Sequence, residues 1–256
     1  MNVTPSLLEQ LFAEHDIPPE FADVIASFGQ EPNIAEGSSN NATIHTDDAG
    51  YGELLYQIRY VEQNGRGLQN SWSRRHTGIY HRRRASDGAD IMVVLHPVRA
   101  PVFADAIAAL QTDSRKREEI CENSLYLHEM LFACYMDNWR WYMRSLGEPF
   151  SKLNDFAMVM KTTQMEPTSS FARVQELRNT NDLIFLARAC CAGNLELLER
   201  LTKLPGNPNK STSPFELYRV KLSGLIESAD VLKGRVQNGI DLVSAQLGRQ
   251  MIPVQH

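Results

Sequence analysis

The sequence predicts an α+β protein: a small antiparallel sheet of three or more strands, an N-terminal helical hairpin, and long antiparallel C-terminal helices. Three observations carry this expectation. Residues Leu54 to Val61 alternate with a period of two, so that Leu54, Tyr56, Ile58 and Tyr60 share one face and Leu55, Gln57, Arg59 and Val61 the other. Turn-forming stretches at Asn64-Gly65-Arg66-Gly67 and Ser86-Asp87-Gly88 separate that run from two further strand-like segments. Phe215 to Leu247 carries an unbroken apolar stripe at steps of three and four residues, the mark of an amphipathic helix.

Taken in order, Ser6 is placed to cap a helix beginning at Leu7, with Glu9 in the capping-box position and Leu7, Leu8, Leu11 and Phe12 as its apolar stripe. Pro18-Pro19 stops it. Glu20 to Phe28 repeats the signal and Gly29 ends it, which completes the helical hairpin. Glu31 to Gly50 is polar and rich in Gly, Ser and Asn, and reads as a loop. The second strand spans Trp72 to Arg84, with Thr77, Ile79 and His81 opposing His76, Gly78 and Tyr80. Ile91 to Leu95 is apolar on both faces, which predicts a central strand. Short polar turns between the three imply an antiparallel meander.

Pro97 and Pro101 mark a linker, and Phe103 to Leu110 a short helix. From Ser114 to Leu146 apolar residues keep helical spacing, and Gly147 with Pro149 is the predicted stop. Trp139 and Trp141, with Arg140 between them, fall on different sides of that helix. Ser170 is placed to cap a further helix from Phe171 to about Leu204, whose stripe is interrupted by Asn181 and Arg188. Pro205 to Pro214 is a linker by composition. The final stripe covers 33 residues, about 50 Å of helix at 1.5 Å per residue. A helix that long is stable only if its stripe is buried, against the preceding helix, the sheet or a second copy. The expected division is an α+β domain over residues 1–112 and a long-helix region over residues 113–256.

Composition sets the outer bounds. With 256 residues, 43% hydrophobic, 22% charged and a net charge of −5, the chain is an ordinary globular protein, and a general nucleic-acid binder is excluded. The four cysteines at 121, 134, 190 and 191 form no CxxC pair and no zinc-spaced group. With no secretory leader legible, they predict reduced thiols and a cytoplasmic location. No run approaches the ~18 apolar residues that span a bilayer. Phosphate-loop, G-x-S-x-G, H-E-x-x-H and deaminase signatures do not occur, so no catalytic residue is named.

Charge is nevertheless uneven. Arg59, Arg66, Arg74, Arg75, Arg82, Arg83 and Arg84 crowd one stretch against the single acid Glu62. An anion surface and a charged strand edge that discourages aggregation both fit such a pattern. Strand parity puts Arg74, His76, Tyr80 and Arg82 on one face, and they are the candidate anion-binding residues. Asp47, Asp48 and Glu53 are the candidate ligands for a hard cation such as magnesium, which takes oxygen donors. Arg83-Arg84-Ala85-Ser86 makes Ser86 a candidate phosphorylation site, where a phosphate could pair with neighbouring arginines.

Three blocks carry a family resemblance: QIRYVE from Gln57 to Glu62, NSWSRRHTGIYHR from Asn70 to Arg82, and IMVVLHP from Ile91 to Pro97. They resemble the cytosolic region of fungal CorA-like magnesium-transporter proteins, with Ser71 where that pattern usually has proline and His76 where it has glutamine. Leu7 to Gly29 resembles the family's amphipathic segment before the sheet, and Leu127 to Met143 its helix carrying Asn-Trp-Arg. The resemblance implies a non-catalytic regulatory or interaction module that senses divalent cation, assembles as a homo-oligomer or through a helix-mediated partner, and meets the membrane through a missing segment or that partner. It also implies that the chain cannot conduct ions alone, because neither pore helices nor a Gly-Met-Asn signature is present. The alternative is a soluble enzyme or accessory protein of fungal secondary metabolism on the same scaffold, with a pocket joining the Arg74–Arg84 strand to the Trp139–Trp141 helix.

Overall fold

The computed structural model describes residues 4–28, 40, 42–47, 50–65, 71–83, 89–123, 125–159, 167–204 and 214–250. Its elements are α1 (Pro5–His15), α2 (Phe21–Ala26), β1 (Thr43–Asp47), β2 (Gly50–Gln63), β3 (Trp72–Arg83), β4 (Asp90–Leu95), α3 (Val102–Gln111), α4 (Ser114–Glu122), α5 (Tyr126–Tyr135), α6 (Asn138–Val159), α7 (Pro167–Thr202) and α8 (Pro214–Gln250). The chain is α+β, as its sequence predicts. The sheet is an antiparallel meander in the order β1-β2-β3-β4.

The two sheet faces are covered by different elements. Leu54, Tyr56, Ile58 and Tyr60 of β2, with Ile79 of β3, join one core built with α5, α6, α7 and α8. That core runs without a break from Leu54 to Val243. On the opposite face Leu55, Tyr80 and Leu95 pack with Ile17, Phe21 and Val24 of the N-terminal hairpin. Gly78 makes that second contact close. A Cβ there would overlap Cγ1 of the fully buried Val24 and reach within 3.4 Å of the Phe28 ring. Glycine lets α2 lie against β3.

Five expectations are corrected. The segment read as a loop contains β1, whose five residues pair with the start of β2; its Thr-Ile-His-Thr core is too short for alternation to show. Among the described residues Ile91 to Leu95 is an edge strand, paired only with β3. Being apolar on both faces reflects cover on both faces, since Met92 and Val94 pack on one core and Val93 and Leu95 on the other. The helix expected from Ser114 is three helices, broken at Asn123, where the backbone is extended (φ −127°, ψ 95°), and at Met136-Asp137. Gly147 and Pro149 do not end α6, which runs on to Val159. Burial of Leu146 and Phe150 on the flanking helices outweighs the local breaking tendency. At the N-terminus the cap is Thr4 rather than Ser6, with Pro5 at the first helical position and the Thr4 hydroxyl accepting from the Leu7 amide at 3.3 Å.

The long helices pack as expected. Phe215, Tyr218, Leu222, Ala229, Val236, Ile240 and Val243 of α8 are buried, facing Val174, Leu177, Ile184, Cys191 and Leu198 of α7 within the same chain. Arg188 lies outside this seam and pairs with Asp230 across the two helices at 2.6 Å.

Candidate functional site

Strand β2 has 14 residues and β1 only five. Among the described residues, the β1-side edge of β2 beyond Leu55 has no strand partner, and buried peptide groups must be satisfied otherwise. Three asparagines do this. The Asn40 carbonyl accepts from the Gln57 amide at 2.8 Å. Asn194 of α7 accepts from the Arg59 amide at 3.1 Å and donates to the Arg59 carbonyl at 2.7 Å, as a neighbouring strand would. Asn138 at the start of α6 donates to the Val61 carbonyl at 3.0 Å. Asn194 is fully buried and fixes α7 against the sheet.

Inside the sheet–helix core lies a chain of titratable side chains. The Tyr56 hydroxyl bonds Nδ1 of His128 on α5, Nε2 of His128 lies 2.7 Å from Nδ1 of His81, and Nε2 of His81 lies 3.3 Å from an Asp90 carboxylate oxygen. If Tyr56 donates to His128, then His128 carries its proton on Nε2 and donates to His81, whose own proton faces Asp90. Tyr56, His81 and His128 are fully buried, and Asp90 at the sheet edge is a quarter exposed. Burial, reinforced by the neighbouring His81, holds His128 well below the usual histidine range.

A second group sits beside the first. His96, just after β4, contacts the Thr77 hydroxyl at 3.1 Å through Nδ1 and the Tyr135 hydroxyl at 3.2 Å through Nε2. The Tyr135 hydroxyl also accepts from the Phe103 amide, and its ring stacks on Tyr60 with centroids 4.2 Å apart. Burial lowers His96 to about 4 and pushes the phenols of Tyr60 and Tyr135 upward. Both groups lie between sheet and helices, where they fix α3 and α5 on the sheet.

The residues singled out from sequence lie elsewhere. His76, Tyr80 and Arg82 share the sheet face that the N-terminal hairpin covers, whereas Arg74 lies near Tyr142 of α6. His76 Nε2 is 3.0 Å from the Ser27 hydroxyl, and its ring packs on Phe28. Tyr80 donates to Glu53 at 2.8 Å. Arg82 reaches the His15 carbonyl and Asp16 at the end of α1, at 3.4 and 3.5 Å. Glu53 of the acidic trio is thus engaged with Tyr80, while the Asp47 side chain and Asp48 fall outside the described residues, as does Ser86. Among the described residues no group of three or more His, Cys, Asp or Glu side chains could hold a metal ion. Trp139 is buried and Trp141 half exposed, on different sides of α6 as the sequence predicts. His81 is fully buried between the sheet and α5.

Sequence reasoning missed Asn194, Asn138 and His128. A buried asparagine or histidine inside a helical stripe looks like an interruption. What it bonds to, here the bare edge of a strand far away in sequence, is not legible from the stripe.

Strands β2 to β4 and the four helices that follow them bear a known pattern. Residues 51–158 match the family model of CorA-like transporters. The match opens at the start of β2 and closes in the last turn of α6, so it contains both histidine–tyrosine groups and Asn138 and leaves α1, α2, β1, α7 and α8 outside. No curated protein matches the chain. Among the described residues no helix is long and apolar enough to cross a membrane.

Proposed function

We propose that this chain is a non-catalytic regulatory or interaction module of a CorA-like protein, the part that lies outside the membrane and acts with a divalent cation rather than conducting it. One observation supports this reading above the rest: the stretch that matches the CorA-like model holds three strands of the sheet and the helices laid on them, and its ionisable side chains are tied to one another between those layers. A catalytic constellation needs its acid, base or nucleophile within reach of a substrate, whereas these groups join the layers. The long α7–α8 pair would carry a signal along its length. Because the α8 stripe is covered by α7, assembly with a second copy must use another face of the helices.

The cation is magnesium in this reading, with the Asp47–Glu53 segment as the place to look. A ligand that binds only the folded state stabilises it by mass action. A site with a Kd of ~1 mM would add about 1.4 kcal/mol at ~10 mM Mg²⁺, raising the melting midpoint by a few degrees. Thermal unfolding across a magnesium titration, with potassium at matched ionic strength as control, checks this. An unchanged midpoint contradicts cation sensing.

A further inference from the structure

We infer that the cleft between the α5–α6 corner and α8 is a binding site for a small planar aromatic carboxylate. The cleft has a volume of about 490 Å³ and is lined by Met136, Asp137, Arg140 and Trp141 on one side and Lys221, Gly224, Leu225 and Ser228 on the other. That volume suits a molecule of one to three rings. Its chemistry has three parts. Trp141 is 49% exposed, although the neighbouring Trp139 is fully buried. Trp141 lines the open cleft with the Arg140 guanidinium over one face of its ring, and a half-exposed indole offers a flat ring a stacking surface. Gly224 forms the opposite wall, and a Cβ built there meets no atom within 4 Å, so a flat ligand can approach the α8 backbone closely. Leu225 and Met136 add apolar surface.

The third part is charge. Asp137 and Lys221 neutralise each other at 2.7 Å. Arg140 makes no ion pair among the described residues, and its guanidinium lies 5.4 Å from the centre of the Trp141 ring. The cleft therefore keeps one uncompensated cation beside its stacking surface. A ring on the indole with a carboxylate on the guanidinium satisfies both at once, and the planar fork of arginine favours a carboxylate over a neutral amide. The Ser228 hydroxyl donates to the Gly224 carbonyl at 2.7 Å, which leaves its oxygen as an acceptor and not as the anion's partner. The site joins the last part of the family-matched segment to a helix outside it, so occupancy would link α6 to α8.

The probe is 2-naphthoate, followed by titration calorimetry and by the indole N–H signals of the three tryptophans in ¹H–¹⁵N spectra. Saturable binding is expected, with the Trp141 signal shifting and that of buried Trp139 nearly still. The neutral 2-naphthamide should bind at least ~10-fold more weakly, and Arg140→Gln should weaken naphthoate by a similar factor while leaving naphthamide unchanged. Gly224→Leu should abolish binding of both by filling the cleft. Both substitutions are at exposed positions, and retained melting midpoints show that the variants fold. Absence of saturation up to ~10 mM naphthoate, equal affinity for acid and amide, or unchanged affinity in either variant overturns the inference.

Discussion

Gly78 and the imidazoles of His96 and His128 show how single residues set the architecture. Gly78 leaves no room for a methyl group, and the atom in the way belongs to a β-branched side chain sealed in the hairpin core. Gly78→Ala should therefore destabilise the fold by about 1–3 kcal/mol through overpacking, despite the better strand propensity of alanine. Urea unfolding of the variant reads this directly, and an unchanged midpoint would mean that α2 is not seated as described. His96 and His128 act through protonation. Both bind a proton less readily in the fold than in the unfolded chain, where histidine titrates near 6.5. The unfolded state then takes up the extra protons as the pH falls, so their contribution is intact above about 6.5 and is lost progressively below it, with the His96 part levelling off near 4. Melting midpoints recorded from pH 7.5 to 4.5 should decline over that window, and His96→Asn should soften the decline.

At the scale of elements, what alternates or repeats within one segment was legible and what is settled between segments was not. The Leu54–Tyr60 face, the antiparallel meander and the α8 stripe each follow from a local period. The end of α6 does not, because Leu146 and Phe150 find cover on other helices and carry the helix past Gly147 and Pro149. Nor does β1, a strand that exists because β2 offers it an edge. The candidate site was the least legible part. Parity put Arg74, His76, Tyr80 and Arg82 on one face, yet it could not show that the N-terminal hairpin covers His76, Tyr80 and Arg82. Asn194 makes the same point for α7: it stands in for a missing strand at Arg59. Asn194→Ala removes both bonds and leaves a buried amide and carbonyl unsatisfied, which should cost about 2–4 kcal/mol. Hydrogen exchange at the Arg59 amide should accelerate in that variant by more than at Tyr56, and equal acceleration at both would argue against a local role.

For the whole molecule, one continuous core joins the segment that matches the CorA-like model to the long helices that follow it. The reading as a scaffold rests on that core being closed around its titratable groups. Ring ¹³C and ¹⁵N shifts of His96 and His128, followed through a pH titration, test that closure most directly. Both rings should stay neutral from pH 8 down to 5.5, with His96 titrating only near 4. Either ring titrating near 6.5, as a solvent-exposed histidine does, would contradict a sealed sheet–helix core and reopen these side chains to catalysis.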